Sequence, residues 1–321
     1  MENILINYIL FIIKSITIIT IIIILLLLIM FIILISIYNN NTTYVIKNIN
    51  NYYKNKQLFL IKKIYNKTEV KKITKVLKKT YNNTRQSSNK NIFIIDLNTD
   101  IQFKLNKKLQ EIISLIILTA KKNDSVFIKL NSSGGLVNHF GLAASQLIRL
   151  KNNNISLIIS VDLIAASGGY MMASVANKII ASKFAIIGSI GVLGIIPNFN
   201  QILKKHNINI EYHTSGNYKS TLNLIGENTS YGRKKFITSL HATHILFKNF
   251  IKNHRKNINI NKISTGEYWY AIDAIKLNLI DEIITSEEYI IKNLSTCNIY
   301  EININQTSML TTINHKIYNI L

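Results

Sequence analysis

Cysteine and proline each occur once in this 321-residue chain, and glycine only 12 times. A lone cysteine, Cys297, excludes an intramolecular disulfide and a Cys-rich zinc site. Acidic residues are also few, 16 Asp and Glu against 38 Lys and Arg, for a formal charge of +22. At 48% hydrophobic residues the chain is not a disordered polyelectrolyte.

The charge invites a nucleic-acid reading, but its distribution argues against one. Residues 1–90 hold 14 basic and 2 acidic side chains, and residues 91–321 hold 24 and 14. No Arg-rich, aromatic-interleaved stripe is present, and diffuse charge speaks to non-specific attraction rather than to fold. Asn, Ile, Lys and Tyr are abundant throughout, as AT-rich codons would supply. The glycines are more informative: none precedes Gly134 and none follows Gly266. A chain this sparing with glycine keeps it where backbone geometry or close approach requires it.

Residues 15–38 contain no charge. At about 1.5 Å per residue this run spans about 36 Å, enough for the hydrocarbon core of a bilayer with some tilt. The Ile37-Tyr38-Asn39-Asn40 stretch that follows is a poor cleavage site, so the run reads as an uncleaved anchor behind a short tail, 1–14. Residues 39–90, rich in Asn, Lys and Tyr, read as a basic, solvated and partly helical linker that could touch anionic lipid.

From residue 91 short apolar runs alternate with helical patterns. Strands are expected at 92–95, 126–130 and 155–161, with helices at 105–121, 137–150 and about 170–176. This βαβαβα order predicts an α/β domain of parallel strands and crossover helices over 91–290. Further strands are expected at 178–180 and 208–213, a long helix at about 230–255, and a last helix–turn–strand unit ending near Ile283. Residues 285–321 read as weakly specified, with a tail over 291–321.

Two strand-to-loop transitions place small residues at the carboxyl ends of strands, where open α/β sheets bind ligands. Gly134-Gly135 follows the second strand and offers backbone N–H groups of the kind an oxyanion hole uses. Ser167, followed by Gly168-Gly169, lies between a strand and a helix; as a lone motif it reads first as an N-cap. A nucleophilic serine needs a base. None of the seven histidines lies in a small-residue loop, and His241 and His244 read as helix-surface or packing residues. Lys219 follows a turn on Gly216 and is flanked by Tyr218 and Ser220. A lysine serves as base only when neutral, which requires burial or nearby cations to lower its pKa from about 10.4.

Taken together, Gly141-Leu142-Ala143-Ala144-Ser145-Gln146-Leu147, Ala165-Ala166-Ser167-Gly168-Gly169-Tyr170-Met171-Met172-Ala173, Ile187-Gly188-Ser189-Ile190-Gly191-Val192, Pro197-Asn198-Phe199-Asn200 and Gly226-Glu227-Asn228-Thr229 bring a family into view. In this order they resemble the SohB and signal peptide peptidase A family of membrane-anchored Ser–Lys peptidases, which have a ClpP/crotonase-like α/β fold. The resemblance implies Ser167 as nucleophile and Lys219 as general base. It implies an oxyanion hole from Gly168 with the Gly134-Gly135 loop, and Ser189 as the residue that orients the lysine. It implies a serine endopeptidase without metal or organic cofactor, acting on peptide or protein substrates near the membrane, residual signal peptides among them. It also implies a homo-oligomer in which neighbouring subunits contribute Ser and Lys. Relatives usually have proline before the glycine pair, where this chain has Ser133, so the loop lacks that preset φ.

Two other readings share these features: a crotonase-type acyl-CoA enzyme, and a catalytically silent membrane scaffold. The lysines at 47–63 would by the positive-inside rule hold the domain in the cytoplasm. The family's usual assignment is a single-pass protein of the bacterial inner membrane with its catalytic domain in the periplasm, which is the expectation adopted.

Overall fold

The computed structural model describes residues 2–38, 42–87, 90–97, 103–216 and 218–306. It divides into two units, Met1–Val45 with Asn303–Leu321, and Ile46–Ile302.

In the first unit, α1 (Glu2–Tyr38) is one continuous helix of 37 residues. Its Leu10–Leu28 stretch is long and apolar enough to cross a membrane, and none of it is buried within the protein. Ser15, Thr17 and Thr20 return their hydroxyls to the carbonyls of Phe11, Lys14 and Thr17. An apolar helix tolerates these polar side chains because each hydroxyl is satisfied by its own backbone.

Strand β1 (Thr42–Asn48) leads into the larger unit. There α2 (Ile49–Ile64) and α3 (Lys67–Ser87) precede β2 (Asn91–Leu97), α4 (Phe103–Thr119), β3 (Ser125–Leu130), α5 (Val137–Asn152) and β4 (Ser156–Val161). Next come β5 (Ile164–Ala166), α6 (Gly168–Ser174), β6 (Lys178–Ala181), β7 (Ile186–Gly188), α7 (Asn200–Lys205) and α8 (Ser230–His254). The chain continues through α9 (Ile260–Ile263), β8 (Tyr268–Tyr270), α10 (Ala271–Ala274), a 3-10 turn (Ile275–Leu277), β9 (Glu282–Ile283), α11 (Ser286–Asn293) and β10 (Asn298–Gln306).

The main sheet has the order β1-β10-β2-β3-β4-β6-β9, and every pairing from β10 to β9 is parallel. A second sheet, β5-β7-β8, pairs β5 with β7 in parallel and β7 with β8 antiparallel. This is the α/β architecture expected from the alternation, with crossover helices joining parallel strands.

One face of the main sheet is built from Ile92, Ile94, Phe127, Ile158, Ile180 and Ile299, all buried. Ile284, Ile290 and Cys297 cover it, and Tyr289 stacks on Phe127 with ring centroids 4.9 Å apart. Strands this apolar are what a parallel sheet buried on both faces demands.

Three expectations are corrected. Residues 208–213 alternate apolar and polar side chains but form no strand. Ile208, Ile210 and Tyr212 are exposed, and no neighbouring strand supplies the ladder that would make alternation pay in hydrogen bonds. Residues 286–306 are not weakly specified: α11 covers the core, and β10 enters the sheet beside β2 in the register Ile299↔Ile92; the rest of the expected tail, 307–321, lies outside the described residues. Among the many asparagines of β10, Ile299 and Ile302 are buried, on opposite faces of the strand. The segment 39–90 is more than a solvated linker, since α2 docks through buried Ile49 and Ile61. Asn50 donates to the Leu294 and Cys297 carbonyls and accepts from the Ile299 N–H.

Candidate active site

The loop after β3 is fixed by backbone bonds to its neighbours. The Asn131 N–H donates to the Leu97 carbonyl at 3.1 Å. Ser132 pairs with β5, donating to Ile164 at 2.9 Å and accepting from the Ala166 N–H at 3.1 Å. Gly134 is thereby pressed against the turn that holds Ser167. A Cβ on Gly134 would lie 2.8 Å from Ser167 Cβ, 2.9 Å from the Ala166 carbonyl and 2.9 Å from the Gly168 nitrogen, and its φ is +99°. Only glycine fits both the contact and the dihedral. The Gly134 N–H donates to Ser132 Oγ at 3.3 Å. No protein acceptor among the described residues takes the N–H of Gly135 or Gly168.

Ser167 stands at the N-cap of α6, yet its hydroxyl makes no cap hydrogen bond. The bland reading of this serine, as a helix cap, is therefore not what the geometry shows. Its backbone is at φ 52°, ψ −119°, a conformation rare for a side chain other than glycine. The turn is held by the Ser167 N–H on the Gly188 carbonyl at 2.8 Å and by the Met171 N–H on the Ser167 carbonyl at 3.0 Å. Strain of this kind costs about 1–3 kcal/mol and gathers at functional sites. Phe140 of α5 packs its ring under Gly135 and Gly168.

Ser189 follows β7 and is strained in the same sense, at φ 51°. Its N–H donates to the Glu267 carbonyl at 2.7 Å, which ties it to the residues just before β8. Ala166 pairs with Gly188 across β5 and β7, so Ser167 and Ser189 leave adjacent parallel strands side by side.

Lys219 lies on an irregular segment between α7 and α8. Its N–H donates to the Gly216 carbonyl at 3.1 Å, and its side chain is exposed. Among the described residues no hydrogen bond or ion pair engages its ammonium. The segment is braced beside it: Tyr218 and Tyr231 share a hydroxyl–hydroxyl hydrogen bond of 2.7 Å, and Lys235 sits 4.4 Å from the Tyr218 ring centroid. Asn198 and Asn228 clamp the Asn223 carbonyl, and Thr229 caps α8 through the Gly232 N–H.

The structure thus brings Gly134, Ser167, Gly168 and Ser189 together and leaves Lys219 on an open surface of the chain. Reasoning from sequence missed Phe140, Glu267 and Trp269, whose ring a Cβ on Gly188 would meet at 2.8 Å. Trp269 is the sole tryptophan and follows Gly266 closely, a signal that was available. No group of three metal-ligating side chains occurs among the described residues.

A parallel α/β frame that holds a strained, uncapped serine at a helix head against a glycine loop is the frame of a serine hydrolase. Comparison with known proteins specifies which. The model of peptidase family S49 matches residues 149–296, and that of the family's N-terminal region matches residues 3–147. "Probable protease SohB" of Buchnera aphidicola subsp. Schizaphis graminum is 45% identical over 300 residues, covering 91% of this chain and 87% of that one. The protein of the same description from Buchnera aphidicola subsp. Schlechtendalia chinensis is 47% identical over 260 residues, 77% of this chain and 85% of that one. Among solved structures, a mutant of the 1510-N membrane-bound stomatin-specific protease in complex with a substrate peptide aligns at TM-score 0.43 and 14% identity, over 72% of this chain and 99% of that chain. The chain belongs to peptidase family S49 and is a serine peptidase, with an α/β fold built on a largely parallel sheet and one N-terminal apolar helix.

Proposed function

We propose that this peptidase is anchored in the bacterial inner membrane by residues 15–38 and hydrolyses peptide bonds with Ser167 and Lys219. Ser167 Oγ attacks the scissile carbonyl while Lys219 Nζ takes its proton. The Gly135 and Gly168 N–H groups hold the oxyanion, with Gly134 shaping the loop around the serine. Lys219 passes the proton to the leaving amine, and water then hydrolyses the acyl-enzyme. Ser189 orients the lysine. Substrates are peptides close to the membrane, signal-peptide remnants among them, and the catalytic domain faces the periplasm.

The observation that carries this reading is the strained Ser167, whose hydroxyl caps nothing at the head of α6. The exposure of Lys219 supports a homo-oligomer in which the lysine of one copy serves the serine of another. Hydrolysis of casein-like and signal-peptide substrates by wild type, Ser167→Ala and Lys219→Met tests the dyad. Both variants should lose roughly 10³-fold or more in kcat, since the members of such a unit fail together. Mixing the two inactive variants and reassembling the oligomer should restore activity if the pair forms between subunits. Equal rates in wild type and both variants would refute the mechanism.

A further inference from the structure

We propose that the outward face of α2 is a membrane-surface contact that rests on anionic lipid, distinct from the anchor in α1. The inference rests on the anchored reading above and adds a second point of contact.

The orientation of α2 on its domain is fixed. Ile49 and Ile61 are buried, and Asn50 makes three hydrogen bonds to residues 294–299. The second half of the helix leaves an outward strip on which Phe59, Leu60 and Ile64 are 63%, 56% and 69% exposed. Three large apolar side chains within two turns are unusual on a solvated helix, where such residues occur singly. Between them stand exposed Lys56 and Lys63, with Lys62 beside them. Lys56, Leu60 and Ile64 are spaced i, i+4, i+8, and Phe59 with Lys63 fills the adjoining row. The helix has no acidic residue.

Lysines interleaved with aromatic and aliphatic side chains suit the headgroup layer. The apolar groups enter the acyl boundary while the ammonium groups reach lipid phosphates. The chain also restricts where α2 can be. Ten residues, 39–48, separate Tyr38, the end of α1, from Ile49, the start of α2. At full extension they span at most about 40 Å, so the covalent link bounds how far α2 can lie from the anchor. An acidic protein would match the lysines but has no such reason to be within reach.

Cys297 is buried, so a new surface cysteine accepts a nitroxide label selectively. The full chain is labelled separately at Leu60→Cys, at Ile22→Cys within the apolar helix and at Leu118→Cys, an exposed position on α4. Each is placed in nanodiscs of phosphatidylcholine with or without phosphatidylglycerol. In anionic discs the label at 60 should gain collisions with dissolved oxygen and lose collisions with an aqueous nickel chelate. High salt or the Lys56→Glu/Lys63→Glu pair should reverse both changes, and the label at 118 should show neither. If the label at 22 is inserted while that at 60 stays as aqueous as that at 118, the surface contact is refuted and the anchor stands. If the label at 22 is itself aqueous, the anchor fails and the contact fails with it. Loss of nickel collisions at 60 without a gain in oxygen collisions and without dependence on lipid charge identifies a protein contact and overturns the proposal.

Discussion

Ser167 and Ser189 leave two adjacent parallel strands at equivalent positions, just past the paired residues Ala166 and Gly188, and both have left-handed φ, 52° and 51°. Two strained serines side by side in one loop cluster cost stability that glycine would not. Ser167→Gly should therefore raise stability by about 1 kcal/mol while abolishing hydrolysis. Denaturant midpoints and labelling by a fluorophosphonate probe check the two halves. A variant less stable than wild type would show that the serine side chain itself holds the turn.

Gly134→Ala places a methyl group against Ser167 Cβ and the Gly168 nitrogen at a φ that alanine resists. The serine turn and the glycine loop must then part. The expected loss is about 10²–10³-fold in kcat, as for loss of one oxyanion donor, with about 1–3 kcal/mol of stability. Steady-state kinetics beside thermal unfolding measures both.

Gly169→Ala and Gly168→Ala should differ in whether they are rescued. An added Cβ at 169 meets the Ser132 backbone carbonyl, whereas one at 168 meets the Phe140 ring. A smaller side chain at 140 makes room for the second and not for the first. Phe140→Leu should recover part of the stability lost in Gly168→Ala and none of that lost in Gly169→Ala. A double-mutant cycle reads this directly.

Asn50→Ala removes one side chain that joins α2 to both the end of α11 and the start of β10. Three backbone groups lose a partner, so the loss should be about 2–3 kcal/mol. Cys297 lies beneath this junction, 3% exposed. Its reaction with an aromatic disulfide reagent should accelerate in Asn50→Ala, and an unchanged rate would show that α2 is held by other contacts.

Tyr170 on α6 is fully buried and donates to the Leu279 carbonyl at 2.9 Å. Burial pushes its hydroxyl well above the ordinary tyrosine range. In the unfolded chain it ionises near pH 10, whereas in the folded chain it keeps its proton there. Its contribution to stability is thus complete below about pH 10 and declines above it by about 1.4 kcal/mol per pH unit. Tyr170→Phe should be less stable at neutral pH by about 1–3 kcal/mol, because the Leu279 carbonyl loses its donor. Its stability should also fall less steeply above pH 10, and urea titrations at pH 9, 10 and 11 compare the two slopes.

The sequence by itself determined the apolar helix, because 24 uncharged residues have few other stable forms. It determined the parallel sheet too, because Ile92–Ile95, Val126–Leu130 and Ile155–Val161 are too uniformly apolar for strands with a wet face. Strand and helix limits from residue 91 to the end of α6 came within a few residues of those observed. Sparse glycine pointed to the loops around Ser167, since backbone approach of that kind leaves no alternative residue. Tertiary structure alone decided the rest. Residues 208–213 have a strand's alternation but no partner, whereas β10 lacks a clean alternation but finds a parallel partner in β2. Pairing is a non-local property that no short window contains. The positive φ of Ser167 and Ser189 is likewise set by bonds to Gly188 and Glu267, distant in sequence. Whether Ser167 caps its helix or keeps its hydroxyl free depended on that imposed backbone angle, and the residue type alone was silent on it.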